Sequence, residues 1–253
     1  MTASNNNLLK GIFTSVVFLT RFPSPRWPEA ADRPLAASMW AFPIAGVLVA
    51  TVGGAIYILC NLLQLPAVVA ALFAIVAMIV TTGGLHEDGL ADLADGIWGG
   101  THKERRLAIM SDSRIGAYGA IALILTVAGR AASVAAINDP TLVLGALVAA
   151  CAASRGMIPM LMVFSQPVKV DGLGANAGIP SVSVCGGALL LALIICVLAS
   201  PTEPMSCLIG AAVGAGIIAW FAQRKLGGYT GDSLGASQQI AEIFALAVIA
   251  GAQ

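Results

Sequence analysis

Seven apolar stretches, each close to the length of a membrane crossing, dominate the amino-acid sequence. They are Ser38–Leu62, Pro66–Thr82, Ile115–Ile137, Thr141–Phe164, Val182–Ala199, Met205–Ala222 and Ala236–Ala252. A helix rises about 1.5 Å per residue, so a hydrocarbon core about 30 Å thick needs about 20 residues. The last stretch is the weakest, because Gln238, Gln239 and Glu242 sit inside it. Leu8–Phe22 is apolar but short and broken by Lys10. It reads as an interfacial or re-entrant helix, and it lacks the basic start and small-residue cleavage site of a signal peptide. Composition agrees: 58% of the 253 residues are apolar and 10% charged, with a mean hydropathy of +0.90. Soluble proteins carry about 25% charged residues. The sequence therefore predicts an all-α polytopic membrane protein: one integral membrane domain over 1–253, with about seven transmembrane helices plus an N-terminal interfacial or re-entrant helix.

The basic residues fix the topology. Lys10, Arg21, Arg26, Arg33, Lys103, Arg105, Arg106, Arg114, Lys169, Arg224 and Lys225 fall on one side of that arrangement. The connections on the other side, 63–65, 138–140 and 200–204, hold no Lys or Arg. By the positive-inside rule the basic side is cytoplasmic. Net charge is +0, which disfavours nucleic-acid binding. The cysteines at 60, 151, 185, 196 and 207 form no CxxC pair, so neither a disulfide framework nor a zinc site is expected.

Ten of the thirteen acids share the basic side, although acids contribute little to orientation. The polar stretch 83–114 is read as a cytoplasmic acidic loop with catalytic function. Within it Asp88, Asp92 and Asp95 are spaced i, i+4, i+7, which on a helix places all three on one face. Like charges at that spacing repel, so a cation should sit between them. Hard divalent ions such as Mg²⁺ take carboxylate oxygens together with substrate phosphates. The bland reading is a solvated acidic surface. The small neighbours Gly89, Ala91, Ala94 and Gly96, which let a phosphate approach the backbone, favour a metal–phosphate site.

A second glycine-rich cytoplasmic loop, 223–235, shares the pattern Gly-Gly-x-x-x-Asp-x-Leu with 83–90. Two such loops on one membrane face can converge on one site. Arg114 either pairs a phosphate or anchors a span end. Arg130 and Arg155 lie inside spans, where arginines are costly and face the bundle interior; Glu242 is one available partner. His86 is a base, a ligand or an orienting hydrogen-bond partner.

Gly-Gly-Leu-His-Glu-Asp-Gly-Leu-Ala-Asp-Leu-Ala-Asp-Gly (83–96), Met-Ser-Asp-Ser-Arg-Ile-Gly-Ala-Tyr-Gly (110–119) and Gly-Gly-Tyr-Thr-Gly-Asp-Ser-Leu-Gly-Ala (227–236) closely resemble the cobalamin synthase family, the adenosylcobinamide-GDP ribazoletransferases. Leu-Thr-Arg-Phe-Pro (19–23), Phe-Pro-Ile-Ala-Gly (42–46) and Asp-Gly-Leu-Gly (171–174) support the likeness, which runs almost end to end. The resemblance implies an inner-membrane enzyme, dependent on Mg²⁺, that joins adenosylcobinamide-GDP to α-ribazole or its 5′-phosphate and releases GMP. It implies metal ligation by Glu87, Asp88, Asp92 and Asp95, and catalytic roles for His86, Asp92, Asp112 and Arg114. Arg21, Arg155, Asp171, Thr230 and Asp232 are implied substrate-binding residues. Two rival readings are a CDP-alcohol phosphotransferase, whose pattern D-x2-D-G-x2-A-R has arginine where this chain has Asp92, and an ion-coupled transporter. Gly210, Ala211 and Gly214 permit close helix packing, within one subunit or in a homo-oligomer.

Overall fold

The computed structural model describes residues 2–23, 34–168, 172–200 and 202–252, and these are helical almost throughout. Helix α1 (Thr2–Leu19) is followed by a 3₁₀ segment, Leu35–Ala41, that runs into α2 (Phe42–Leu62). Then come α3 (Ala67–Thr82), α4 (Leu85–Gly99), α5 (Lys103–Ile109), α6 (Ala117–Ile137) and α7 (Pro140–Phe164). The chain continues through a single turn, α8 (Leu173–Asn176), to α9 (Val182–Ala199), α10 (Pro204–Leu226) and α11 (Gly231–Gly251).

Six of these are long and apolar enough to cross a membrane, counting the 3₁₀ segment and α2 together. The seventh expected span is different. Helix α3 has only 16 residues, about 24 Å at 1.5 Å per residue, and it qualifies only together with α4, from which it is bent by 92°. The bend falls at Gly83 and Gly84, whose φ angles of 67° and 70° lie in the left-handed region. A side chain there would be strained, so consecutive glycines let the chain turn sharply.

The acidic stretch therefore folds mainly as a helix. Glu87 and Asp88 fall in the first turn of α4, where carboxylates complement the positive end of the helix dipole. Of the second glycine-rich segment only 227–230 lies outside helices. Helix α11 starts at Gly231, earlier than the apolar pattern suggested, because Thr230 caps it: the Thr230 hydroxyl accepts from Ser233 N–H and the Ser233 hydroxyl accepts from Thr230 N–H. Gln238, Gln239 and Glu242 are buried inside the bundle rather than turned to lipid.

Helix α7 is the most enclosed span, with 72% of its apolar window buried. It starts on Asp139, whose carboxylate accepts from Thr141 and Leu142 N–H, and it packs against α2, α9, α10 and α11. Much of this core is alanine, which lets the helices approach closely. A Cβ at Gly210 or Gly214 would meet the backbone of Phe244 or Ile240, so the small residues of α10 are occupied within the subunit, against α11. Helix α1 lies along the 3₁₀ segment, with Ser15 donating to the Ser38 carbonyl at 2.7 Å and Phe18 stacked on Phe42. The Arg21 N–H donates to the Thr81 carbonyl at 2.7 Å, bringing the Leu-Thr-Arg-Phe-Pro motif to the bent end of α3.

Candidate active site

The two glycine-rich motifs meet. A Cβ placed on Gly89 of α4 would lie 2.8 Å from the Asp232 carbonyl oxygen, and one on Gly235 of α11 would lie 3.3 Å from His86 Cα. Only glycine allows helices to touch backbone to backbone in this way. The Asp-Gly-Leu-Gly motif joins them, since a Cβ on Gly174 would lie 2.8 Å from Gly231 N. Tyr229 N–H donates to the Gln166 carbonyl, and Val168 N–H to the Tyr229 carbonyl, both at 2.9 Å.

At this junction lies a cavity of about 210 Å³. Asp88, His86 and Gly89 of α4 line one wall; Thr230, Gly231 and Asp232 at the start of α11 line another. Phe18, Met39, Phe42 and Met162 make its apolar side. Asp88 is exposed and Asp232 partly so. His86 is only 2% exposed, and neither ring nitrogen has a hydrogen-bond partner among the described residues. Buried polar atoms without partners are uncommon, so an imidazole in a cavity wall with both nitrogens unmatched marks a site that something polar completes.

The triad does not act as one face. Asp88 is exposed, Asp92 intermediate and Asp95 buried. Asp95 accepts from Gly116 N–H at 2.7 Å and Gly119 N–H at 2.9 Å, which ties its carboxylate to the first turn of α6 as a capping group. Glu87 is likewise engaged: Arg130 Nη2 donates to its Oε1 at 3.1 Å. Both carboxylates are thus engaged by groups of the bundle. Among the described residues no three His, Cys, Asp or Glu side chains form a ready-made metal centre.

Arg155 is 2% exposed and donates to Glu242 Oε2 at 3.3 Å and to the Cys151 carbonyl. Arg130 reaches Glu242 Oε1 at 3.2 Å as well as Glu87. Two arginines and two glutamates thus form one buried, charge-balanced chain, and Arg155 is closed off from a substrate. Glu242 was the partner available in the sequence; Glu87 and Gln238 were not foreseen in that role. The signal for Gln238 is a glutamine one helical turn before Glu242 in an apolar stretch.

Asp112 and Arg114 lie outside the cavity lining and bind each other, with Arg114 Nη2 donating to Asp112 Oδ2 at 2.6 Å and Nε to Oδ1 at 3.0 Å. The Arg114 guanidinium and N–H hold the Asp112 carboxyl at about 2, below its ordinary value of 3.8. A carboxylate held so acidic is a poor proton acceptor at neutral pH. Arg21 is exposed and lies over Gly83 at the bend. Asp171 lies outside the described residues, while its motif neighbours Gly172 and Gly174 line the cavity.

The sequence profile of the family described as Cobalamin-5-phosphate synthase matches residues 11–250. Among curated proteins, the Adenosylcobinamide-GDP ribazoletransferase of Bradyrhizobium diazoefficiens is 41% identical over 257 residues, covering 100% of this chain and 97% of its own. The enzyme of the same name from Mesorhizobium japonicum is 40% identical, covering 98% and 95%. That from Rhizobium etli is 42% identical, covering 94% and 95%. No solved structure matches.

Proposed function

The chain belongs to the cobalamin-5-phosphate synthase family, and from that premise we propose that it transfers the cobinamide-phosphate part of adenosylcobinamide-GDP to α-ribazole or its 5′-phosphate. An acceptor hydroxyl oxygen bonds to the phosphorus that carries cobinamide. The bond from that phosphorus to the oxygen bridging the diphosphate breaks, GMP departs, and the hydroxyl proton is given up. The observation that carries this reading is the junction of Asp88 and Asp232 across Gly89, in one cavity lined by the motifs at 83–96, 171–174 and 227–236.

The donors at this junction fit Mg²⁺. Asp88, Asp232 and, one turn along α4, Asp92 offer only carboxylate oxygens, the donors that a hard cation prefers. Mg²⁺ keeps waters and takes substrate phosphates along with one or two carboxylates, so a partly assembled protein shell suits it. When bound there the ion would neutralise charge on the diphosphate and the departing phosphate.

The chain's own groups do the rest. The N-terminal end of α11, with Gly231 and Asp232, lines the cavity, and the positive end of a helix dipole favours a phosphate. The apolar side excludes water, and the His86 imidazole offers a donor or an acceptor to a hydroxyl brought beside it. The cavity is too small to enclose a corrinoid, so the macrocycle would rest outside, with only its phosphate arm reaching Asp88 and Asp232. Arg21, beside the bend, is a further contact for the substrate. The chain is a multi-pass membrane protein, and the distribution of Lys and Arg supports a cytoplasmic-membrane location with the cavity opening to the cytoplasm.

The test uses purified protein in liposomes with adenosylcobinamide-GDP, α-ribazole 5′-phosphate and Mg²⁺. GMP release matched by a cobalamin product, and lost with EDTA, is expected. Release of CMP from a CDP-alcohol, with no GMP from the cobinamide donor, would overturn the substrate assignment.

A further inference from the structure

We propose that Arg130 is a positioning residue for the transfer reaction, spanning the two helices that carry Asp88 and Asp232 and fixing their separation; this rests on the reading above. Helix α4 does not inherit its direction from α3. Two left-handed glycines separate them, so the direction of α4 is set by what the helix packs against, including the backbone of α11 at Gly89 and Gly235. The first turn of α4, which bears His86 and Asp88, is also held by side-chain bonds from a third helix.

One guanidinium does so. Arg130 Nη2 donates to Glu87 Oε1 at 3.1 Å, on the residue preceding Asp88, and Nη1 donates to Glu242 Oε1 at 3.2 Å on α11. Glu242 is itself immobilised. Gln238 Nε2 donates to its Oε2 at 2.6 Å and Arg155 Nη1 to the same oxygen at 3.3 Å. Gln238 is held in turn against Ser154 Oγ at 3.1 Å. The fork of an arginine can serve two carboxylates at once with fixed geometry, whereas an ammonium is a point charge on a flexible stem. Arg130 and Glu242 are each 1% exposed, so water does not compete for these bonds.

Arg130 touches neither the cavity nor the reacting atoms; it acts through Glu87 and Glu242. A displacement of about 1 Å at a reacting centre costs about a hundredfold in rate, so loosening this brace should appear in kcat rather than in substrate affinity.

The experiment compares wild type with Arg130→Lys and with Glu87→Gln, in detergent, by three measurements. The kinetic expectation is a fall in kcat of about tenfold or more, a change in KM for adenosylcobinamide-GDP below about threefold, and a severalfold higher Mg²⁺ requirement. Hydrogen exchange should rise across 85–99 and stay unchanged in α9, with the melting temperature of Arg130→Lys within a few degrees of wild type. A purely structural Arg130 would give a lower melting temperature but wild-type kcat and Mg²⁺ requirement in the folded fraction, and that result overturns the proposal. If Arg130→Lys does not fold, the same criteria apply to Glu87→Gln, which alters the less buried end of the brace. If wild-type protein itself releases no GMP, the transferase reading fails, and the exchange of 85–99 alone decides the brace: no increase in either variant overturns it.

Discussion

The backbone of Asp232 rests directly on Gly89, with no side chain between the two helices at the point where they cross. Methyl substitution there cannot be absorbed by a rotamer change, because the opposing atoms are main chain. Gly89→Ala should part α4 and α11 and cost about 1–3 kcal/mol of stability. Turnover of the protein that still folds should drop by about tenfold or more, since Asp88 and Asp232 move apart. Thermal unfolding in detergent together with GMP release on the same preparation checks both parts.

Asp88 and Asp232 line the same cavity from different helices. Asp88→Asn and Asp232→Asn should each lower kcat by about a hundredfold, as expected for groups that act on developing charge, and raise the Mg²⁺ concentration needed for half-maximal rate. Because the two would serve one site, the double variant should lose far less than the product of the single losses. Multiplicative losses would place the two carboxylates in separate roles.

Asp95 belongs to the same acidic stretch yet should behave differently. Its carboxylate accepts two N–H groups from the start of α6, so Asp95→Ala should cost about 1–2 kcal/mol, the scale of a lost helix cap. The kcat of the folded fraction should stay within about threefold of wild type. A large loss of turnover with an unchanged melting temperature would return Asp95 to the chemistry.

Asp112 is paired with Arg114 outside the cavity lining. Its folded-state pKa is held at about 2 by Arg114, below the ordinary value of 3.8. The ion pair therefore contributes fully above the ordinary carboxylate range and is lost only as pH falls through the folded value. Across the neutral range neither the pH profile of kcat nor its maximum should change in Asp112→Asn. A limb of the profile that disappears in this variant would restore Asp112 as the proton acceptor.

Apolar length and the one-sided basic residues were enough to read the spans and to bring the motifs to one end of the bundle. They did not reveal the right angle at Gly83-Gly84, because α3 is apolar throughout and only its length of 16 residues betrays that it stops short. The stretch read as a loop folds as helix over Leu85–Gly99, and the i, i+4, i+7 spacing of Asp88, Asp92 and Asp95 did not distinguish their surroundings. Over seven residues a helix advances about 10 Å, enough to carry one carboxylate from the cavity to the foot of α6. Nor could periodicity show that Glu87 faces away from Asp88 and into the bundle, since its partner Arg130 lies 43 residues away. Gly89 was read as room for a phosphate beside the acids; in the structure Gly89, Gly174 and Gly235 are places where segments distant in sequence touch.

Charge balance inside the bundle also imposes an order on biogenesis. Synthesis delivers Glu87, then Arg130, then Arg155, and only much later Glu242. Until α11 arrives, two guanidiniums share a single acid, and Arg155 has no carboxylate within its own hydrophobic surroundings. An uncompensated cation in the bilayer costs several kcal/mol. Helix α11 is thus the counter-ion of a half-built bundle as well as a wall of its cavity.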